Sequence, residues 1–189
     1  MLPLIDSQED ARSSVQLTLA ARVGLRLPNV EDDDLLRQWF ELSDVESSWG
    51  APEQNLAFVA QLRAAPGHGD AGNRVIVVEN EPVGYVRWHR APIDRLRNTP
   101  LFERLGAAAT RVDVLVGPRE RRFIGIGSVA LRHVREELTL GFGPRSVWGL
   151  AGIAQLAARR AFEKAGFRHH YFYDDAQLGP AVAMVRPAS

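Results

Sequence analysis

The pattern of apolar and polar positions divides the chain into short strands and amphipathic helices in a mixed order. Runs rich in β-branched and aromatic residues predict strands at Val23 to Leu27, Arg74 to Glu79, Val83 to Trp88, Ala109 to Val116, Ser146 to Leu150, Phe167 to Asp174 and Ala181 to Arg186. Apolar stripes with helical spacing predict helices at Glu31 to Leu42, Asn55 to Ala65, Gly127 to Leu138 and Ile153 to Ala165. This order, without an internal repeat, predicts an α+β (mixed α/β) fold.

The segments that connect these elements indicate how the elements are arranged. Asn80-Glu81-Pro82 predicts a tight hairpin, and Gly166 is a natural end for the last helix. The strand–loop–helix–strand order after residue 109 predicts a parallel strand pair. Residues 90–106 are irregular and predict a surface excursion of the kind that often carries substrate contacts. We expect residues 1–15 to form a loose arm and residues 16–189 to form a single domain.

Composition and charge exclude several classes of function. The 189 residues contain 23 Lys and Arg and 23 Asp and Glu, so no global field favours nucleic acid or an anionic membrane. The absence of cysteine excludes disulfides, thiolate metal sites and a cysteine nucleophile. No apolar run reaches the length of a membrane helix, and the first ten residues do not resemble a signal peptide. We therefore expect a cytoplasmic protein that binds neither nucleic acid nor membrane.

The most informative stretch is the loop between the strand ending at Val116 and the helix beginning near Gly127. Glycines in a strand-to-helix loop let backbone N–H groups and the positive end of the helix approach a pyrophosphate. Arginines at positions 119, 121 and 122 add charge that can engage phosphate oxygens. Taken alone, this loop is equally typical of a turn that only lets a helix and a strand pack closely.

Two motifs together resemble the GNAT acetyltransferases. Arg122, Gly125 and Gly127 fill the R/Q-x-x-G-x-G/A pattern of that family's pyrophosphate loop, with Phe123 where most members have glycine. The helix that ends at Gly166-Phe167 resembles the family's N-x-x-A-x-x-x-Y-x-x-x-G-F segment. Within it Ala158 matches, whereas Gln155 replaces the Asn and Phe162 replaces the Tyr. Further likeness, for example at Val45 to Gly50 and at Gly179 to Val185, is to aminoglycoside 6′-N-acetyltransferases.

This resemblance implies a central twisted mixed β-sheet flanked by helices, with acetyl-CoA as the cofactor. It also implies the cofactor-binding positions Leu115, Val116, Arg121, Arg122, Phe123, Ile124, Gly125, Ile126, Gly127, Ser128, Gln155 and Phe162. The expected activity is transfer of the acetyl group to a primary amine of a small molecule, with an aminoglycoside-like amino sugar as one candidate. A homodimer is compatible with this likeness.

Candidate catalytic residues follow from strand alternation and from the missing tyrosine. Asp113 shares a strand face with Leu115, opposite Val112, Val114 and Val116, and is the leading general base, although a structural ion pair is the alternative. Tyr85 is a candidate for the hydroxyl that Phe162 lacks, with an ordinary strand aromatic as the alternative.

Three further residues are candidates for contact with the acceptor. Trp49 and Trp88 offer rings that stack on a ligand, and His89 lies at the end of its strand. For each of them, packing in the core or exposure at a strand end is the ordinary alternative. No metal site is predicted, because the neighbouring His169 and His170 point to opposite faces of their strand.

The sequence is also compatible with other activities. A polycationic aminoglycoside needs several carboxylates, yet Leu150 and Leu178 are apolar where some are expected. The alternative enzymes are a ribosomal-protein or peptide N-terminal acetyltransferase and a siderophore acetyltransferase. A non-catalytic sensor that binds acyl-CoA is the alternative outside enzymes, since the family's Asn and Tyr are both replaced.

Overall fold

A computed structural model describes residues 19–64, 71–90, 105 and 109–188. Its strands are β1 (Val23–Arg26), β2 (Gly72–Val78), β3 (Glu81–Arg90), β4 (Thr110–Val116), β5 (Val147–Gly152), β6 (Arg168–Asp175) and β7 (Gly179–Arg186). Its helices are α1 (Asp33–Phe40), α2 (Ser43–Trp49), α3 (Pro52–Ala64), α4 (Ile126–Phe142) and α5 (Leu156–Lys164). Short 3-10 helices cover Val30–Asp32 and Arg119–Arg121, and residues 19–22 are helical. None of the helices in these ranges is long and apolar enough to span a membrane.

The strands form one mixed sheet in the order β1-β2-β3-β4-β5-β7-β6. The pair β4–β5 is parallel and every other neighbouring pair is antiparallel, which confirms the predicted parallel pair. The predicted hairpin is present, with its turn at Glu79 and Asn80, whose φ angles are +52° and +71°. Two left-handed residues in succession give the turn a twist that suits a two-residue hairpin.

Helices cover both faces of the sheet, which confirms the predicted layered architecture. On one face, α4 and α5 pack their apolar stripes against β4, β5 and β7, with Val134, Leu138 and Phe162 in the core. On the other face, α1, α2 and α3 cover Tyr85 and Leu115 with a cluster that includes Leu36 and Phe40. The two faces of β3 and β4 are therefore covered by different helices. A side chain on either strand contacts one of these two helical layers, according to the face on which it lies.

The predicted helix at Glu31 to Leu42 is shorter and divided. Asn29 caps the 3-10 turn, because its side chain accepts the N–H groups of Glu31 and Asp32. Asp32 is buried, caps the N–H of Asn29 in return and pairs with Arg26 through both carboxylate oxygens. The helix α2, which the polar sequence Ser43-Asp44-Val45-Glu46-Ser47-Ser48 did not predict, follows α1 after two residues. The predicted arm at residues 1–15, and nearly all of the predicted excursion at residues 90–106, lie outside the described residues.

Candidate active site

The site begins where β4 and β5 separate. Their recorded pairing is confined to Thr110 with Val147 and Arg111 with Trp148, whereas β5 pairs with β7 along its whole length on the opposite edge. The N–H of Thr110 donates to the carbonyl of Ser146, on the β5 side. Because peptide groups alternate along a strand, the N–H groups of Val114 and Val116 also point to that side, into the gap. The open edge of β4 can therefore pair with an extended ligand.

A cavity of about 600 Å³ lies at this gap. Its wall combines residues from β4, from the following loop, from α2 and from the start of α5. Of the predicted cofactor-binding residues, the wall includes Leu115, Val116, Arg121, Arg122, Phe123, Gly125, Ile126, Gly127, Ser128, Gln155 and Phe162. Ile124 is half exposed and is the one predicted cofactor-binding residue that is not in this wall.

The glycine loop forms a cradle at one end of the cavity. Gly125 has φ +102° and precedes the first turn of α4, which begins at Ile126. Within the described part of the chain, no hydrogen-bond acceptor is recorded for the N–H groups of residues 123–127. A Cβ at Gly125 would be strained by this φ and would meet Leu19 Cδ2 at 3.2 Å. Unpartnered N–H groups at the start of a 17-residue helix are suited to an anion.

Arg122 shapes this cradle with its side chain. Its Nε and Nη2 donate to the carbonyls of Val116 and Gly117, both at 2.9 Å, and its Nη1 pairs with Asp44 at 2.5 Å. Arg121 pairs with Glu81 at 2.6 Å. The three nitrogens of Arg122 hold the loop and α2 in place, and its predicted contact with phosphate oxygens stays a prediction. The charge of Arg122 still borders the cavity.

Phe123 departs from the family pattern in both conformation and exposure. It has φ +66°, a left-handed conformation that is rare for a residue with a side chain. Its ring borders the cavity and is 82% exposed. An apolar ring held outside the core in this way is available to contact a ligand at the mouth of the cavity.

The two substitutions in the second motif occupy opposite ends of α5. Gln155 accepts the N–H of Gly152 at 3.1 Å and donates to Ser48 Oγ, so it ties the end of β5 to α2. Phe162 is buried against Phe167, with ring centroids 5.1 Å apart, and its ring lies on the backbone of Gly149. The phenylalanine therefore packs in the core and supplies no hydroxyl to the cavity.

Asp113 lies on the predicted strand face and borders the cavity. Its two carboxylate oxygens accept from Arg87 Nε at 3.1 Å and from Arg111 Nε at 3.0 Å. Burial disfavours its charge, but the fields of Arg111 and Arg87 outweigh burial and hold the pKa of Asp113 below its ordinary value. The carboxylate is thus a firmly ionised partner of two guanidiniums, and a low pKa makes it a weak proton acceptor.

Arg87 is the residue that organises this side of the cavity. It is the cross-strand partner of Asp113, and its Nη1 donates to the buried Asn55 on α3 at 2.6 Å. Its guanidinium carbon lies 4.4 Å from the centroid of the Trp49 ring, a cation–π contact. One side chain therefore joins β3, β4, α2 and α3 at the cavity wall.

Of the remaining predicted residues, only Trp49 reaches the cavity. Tyr85 is fully buried, accepts a hydrogen bond from Asn73 at 3.0 Å and has its pKa raised to about 12 by burial. Trp88 is buried in the core on the other face of the sheet. His89 packs on Phe58, and burial lowers its pKa. In the described chain the wall includes none of these three, so their predicted contacts with substrate are corrected to structural packing.

Arg87 and Arg111 were not predicted from the sequence. The signal for both was present in the strand period, because Arg87 shares a face of β3 with Tyr85 and His89, and Arg111 shares a face of β4 with Asp113. Strand alternation alone does not reveal that antiparallel pairing places Arg87 beside Asp113 and His89 beside Arg111. Arg160 and Lys164 on α5 also border the cavity and were not predicted.

These features fit the chemistry of coenzyme A. The open edge of β4 offers peptide groups for the amides of an extended pantetheine chain, and the cradle at Gly125 offers N–H groups for a pyrophosphate. The cations Arg160 and Lys164 add positive charge to the same wall.

The chain is similar to known acetyltransferases. The family model of the acetyltransferase (GNAT) domain matches residues 29–174. The structure of aminoglycoside acetyltransferase AAC(6')-Ib in complex with coenzyme A is similar at 25% identity and TM-score 0.67, covering 87% of this chain and 94% of that chain.

A second solved structure shares the fold at lower identity. The Salmonella typhimurium acetyltransferase that modifies the N-terminal serine of ribosomal protein L7/L12 has a TM-score of 0.67 at 13% identity, covering 89% of this chain and 96% of that chain. No curated protein sequence matches the chain.

Proposed function

Because the chain belongs to the GNAT acetyltransferase family, we propose that it transfers an acetyl group to the primary amine of a small molecule. The chain is an acetyl-CoA-dependent acyltransferase. One observation carries the finer proposal: a single cavity of about 600 Å³ contains both the glycine cradle and a wall formed by Trp49, Leu150 and Leu178. Because the cofactor shares this volume, the space left for the acceptor suits a small molecule.

In this proposal, backbone N–H groups make most of the contacts with the cofactor. Bound acetyl-CoA supplies the acetyl group as a thioester. The N–H groups of Val114 and Val116 face the gap and are the donors that would polarise a carbonyl there. The N–H groups of residues 123–127 would hold the pyrophosphate, with Phe123 against its exposed side.

The proton transfers of the reaction are not assigned to the carboxylates in the cavity wall. Transfer forms a C–N bond, breaks a C–S bond, releases a proton from the amine and requires a proton at the departing sulfur. Asp44 and Asp113 are the acidic residues in the described wall, and each is paired with arginine. Phe162 has no proton to give. We therefore assign Asp113 to positioning Arg87 and Arg111, and assign proton transfer to water in the cavity.

The test is an acetyl-transfer screen that follows release of free thiol from acetyl-CoA. The acceptors are aminoglycosides, polyamines, ω-amino acids and peptides that begin with serine, each confirmed by mass spectrometry of the product. We expect transfer to at least one small primary amine. Transfer to peptides alone would replace the proposal with the peptide activity, and turnover with none of them would favour the acyl-CoA sensor. The Gly125→Val variant is the control that ties activity to the cradle.

A further inference from the structure

One part of the cavity wall is apolar and lies apart from the glycine cradle. Trp49, Leu150 and Leu178 form this part, which we call the apolar wall, and they come from the end of α2, from β5 and from the turn between β6 and β7. Leu150 lies on the same face of β5 as Trp148, whereas Ala151 points to the core beneath α4 and α5. Leu150 is therefore on the sheet face opposite the helix that begins at the cradle.

Contacts within the protein hold the three elements of the apolar wall together. The side-chain amide of Gln177 lies on Gly50 at the end of α2, where an added Cβ would meet Gln177 Nε2 at 3.3 Å. Asp175 Oδ1 accepts the N–H groups of Gln177 and Leu178 at 2.9 Å and 3.0 Å, which fixes the turn. The strand β7, which follows this turn, pairs with β5, which carries Leu150. The apolar wall is therefore organised before a ligand binds, which lowers the cost of binding.

The ring of Trp49 is held in place by its neighbours. The guanidinium carbon of Arg87 lies 4.4 Å from the centroid of this ring, and Asp113 in turn accepts from Arg87 Nε. The ring also packs on Phe40, with ring centroids 6.0 Å apart. The pair of Asp113 and Arg87 thereby sets the position of one residue of the apolar wall.

The carboxylates in the part of the cavity wall that the structure describes are both engaged by cations. Asp44 pairs with Arg122 at 2.5 Å, and Asp113 accepts from Arg87 at 3.1 Å and from Arg111 at 3.0 Å. A polycationic acceptor would have to break these ion pairs in order to bind the same carboxylates, at a cost in affinity. An acceptor with one amine and an apolar body would leave the pairs intact.

We propose that the acceptor is a primary monoamine with an apolar body, which lies against Trp49, Leu150 and Leu178. This inference rests on the proposed function, since it names the substrate class of that same site. Removal of apolar surface from water supplies the affinity for the body of the acceptor. An apolar wall beside paired carboxylates also disfavours an ammonium ion, so the bound amine loses its proton more readily and attacks the thioester in its neutral form.

The experiment compares matched amines on protein saturated with coenzyme A, so that the cofactor part of the cavity is filled. Calorimetry measures the affinities of hexylamine, propylamine and 1,6-diaminohexane. We expect hexylamine to bind about tenfold or more tightly than either of the others, because propylamine buries fewer methylenes and the diamine places a second ammonium against the apolar wall. Leu178→Asp should reverse the preference for hexylamine over the diamine. An unchanged affinity of this variant for coenzyme A shows that it is folded.

Leu140→Asp is the matched control, because Leu140 is 88% exposed on α4 and is not in the described cavity wall. It should leave the preference for hexylamine unchanged. Equal affinities, tighter binding of the diamine, binding of none of the three amines, or a preference that survives Leu178→Asp would each overturn the proposal.

A parallel assay with acetyl-CoA separates this inference from the proposed function. Hexylamine should be acetylated more efficiently than the diamine or kanamycin. Efficient acetylation of the diamine or kanamycin but not of hexylamine would overturn the inference, while leaving the amine acetyltransferase activity established. Binding of hexylamine without transfer to any amine would overturn the proposed function, and with it the role of the bound amine as acceptor.

Discussion

Arg87 on β3 and Asp113 on β4 face each other across the antiparallel pair, with Arg87 Nε 3.1 Å from Asp113 Oδ2. The same carboxylate holds Arg111 through its other oxygen. Asp113 therefore fixes two cations at the cavity and is itself held in the charged form by them. In our proposal Asp113 therefore positions Arg87 and Arg111, in place of its predicted role as general base.

Replacing Asp113 with Asn should lower turnover without affecting the cofactor. The amide keeps the shape but removes the charge that orients Arg87 and Arg111, so kcat/KM for the acceptor should fall about tenfold or more. The KM for acetyl-CoA should stay unchanged, as measured by steady-state kinetics. Asp33→Asn, which removes a carboxylate from the Arg63 pair outside the cavity, is the control. Equal activity of the Asp113 variant and the wild type would dismiss the assigned role.

Replacing Gly125 with Val should weaken coenzyme A binding about tenfold or more, because the side chain would cover the N–H groups of the cradle. The added atoms would also strain a residue at φ +102°. Calorimetric titration with coenzyme A measures the loss. Gly141→Ala, at a helix position with open space around it, should bind coenzyme A normally. If both variants bound equally well, the pyrophosphate would have to lie elsewhere.

Replacing Gly149 with Ala should destabilise the fold, because a Cβ there overlaps the ring of Phe162 and lies 3.0 Å from the carbonyl oxygen of Val112. Overpacking of this kind costs about 1–3 kcal/mol, which urea denaturation resolves. Gly152→Ala meets its nearest neighbour, Gln155, at 3.4 Å and should cost less. In a double-mutant cycle, Gly149→Ala should cost less in the Phe162→Leu background than in the wild type, and equal costs in the two backgrounds would contradict the contact.

The Asp32–Arg26 pair should make the free energy of unfolding depend on pH under acid conditions. The hydrogen bonds from Arg26 outweigh burial and lower the pKa of Asp32 below its ordinary value. A lowered pKa in the folded state stabilises the protein above the unfolded pKa of about 3.9, and this stabilisation is lost as the pH falls through the folded pKa.

Asp32→Asn should therefore cost about 1–3 kcal/mol at pH 7, and the difference from the wild type should shrink below about pH 3.9. Denaturant titrations of both proteins at a series of pH values measure this difference. Asp34→Asn, an exposed neighbour in the same acidic run, is the control and should change little. A difference that is constant from pH 7 to pH 2 would contradict the role of the ionised pair.

The sequence by itself determined the local features of this protein. Strand and helix periods depend on neighbouring residues alone, so most elements were predicted within a few residues of their bounds. The glycine loop and the α5 motif likewise indicated the family, because backbone approach to a phosphate needs glycine at particular positions. Alternation also placed Asp113 and Leu115 on the face opposite Val112, Val114 and Val116. The apolar period did not predict the helix α2, whose end at Trp49 and Gly50 was indicated only by the family resemblance, since this short polar helix buries Val45 and Trp49 against residues distant in sequence.

Only the tertiary structure decided what each side chain on those faces meets. Residues 87 and 113 are 26 positions apart, and it is strand pairing that makes one guanidinium and one carboxylate partners. Trp49 and Trp88 were equivalent candidates by composition. Trp49 borders the cavity on α2, whereas Trp88 lies on the other face of β3, in the core cluster that includes Val134 and Leu138 of α4. A strand period distinguishes two faces but does not specify which layer covers each of them, and that choice is made by the packing of the whole domain.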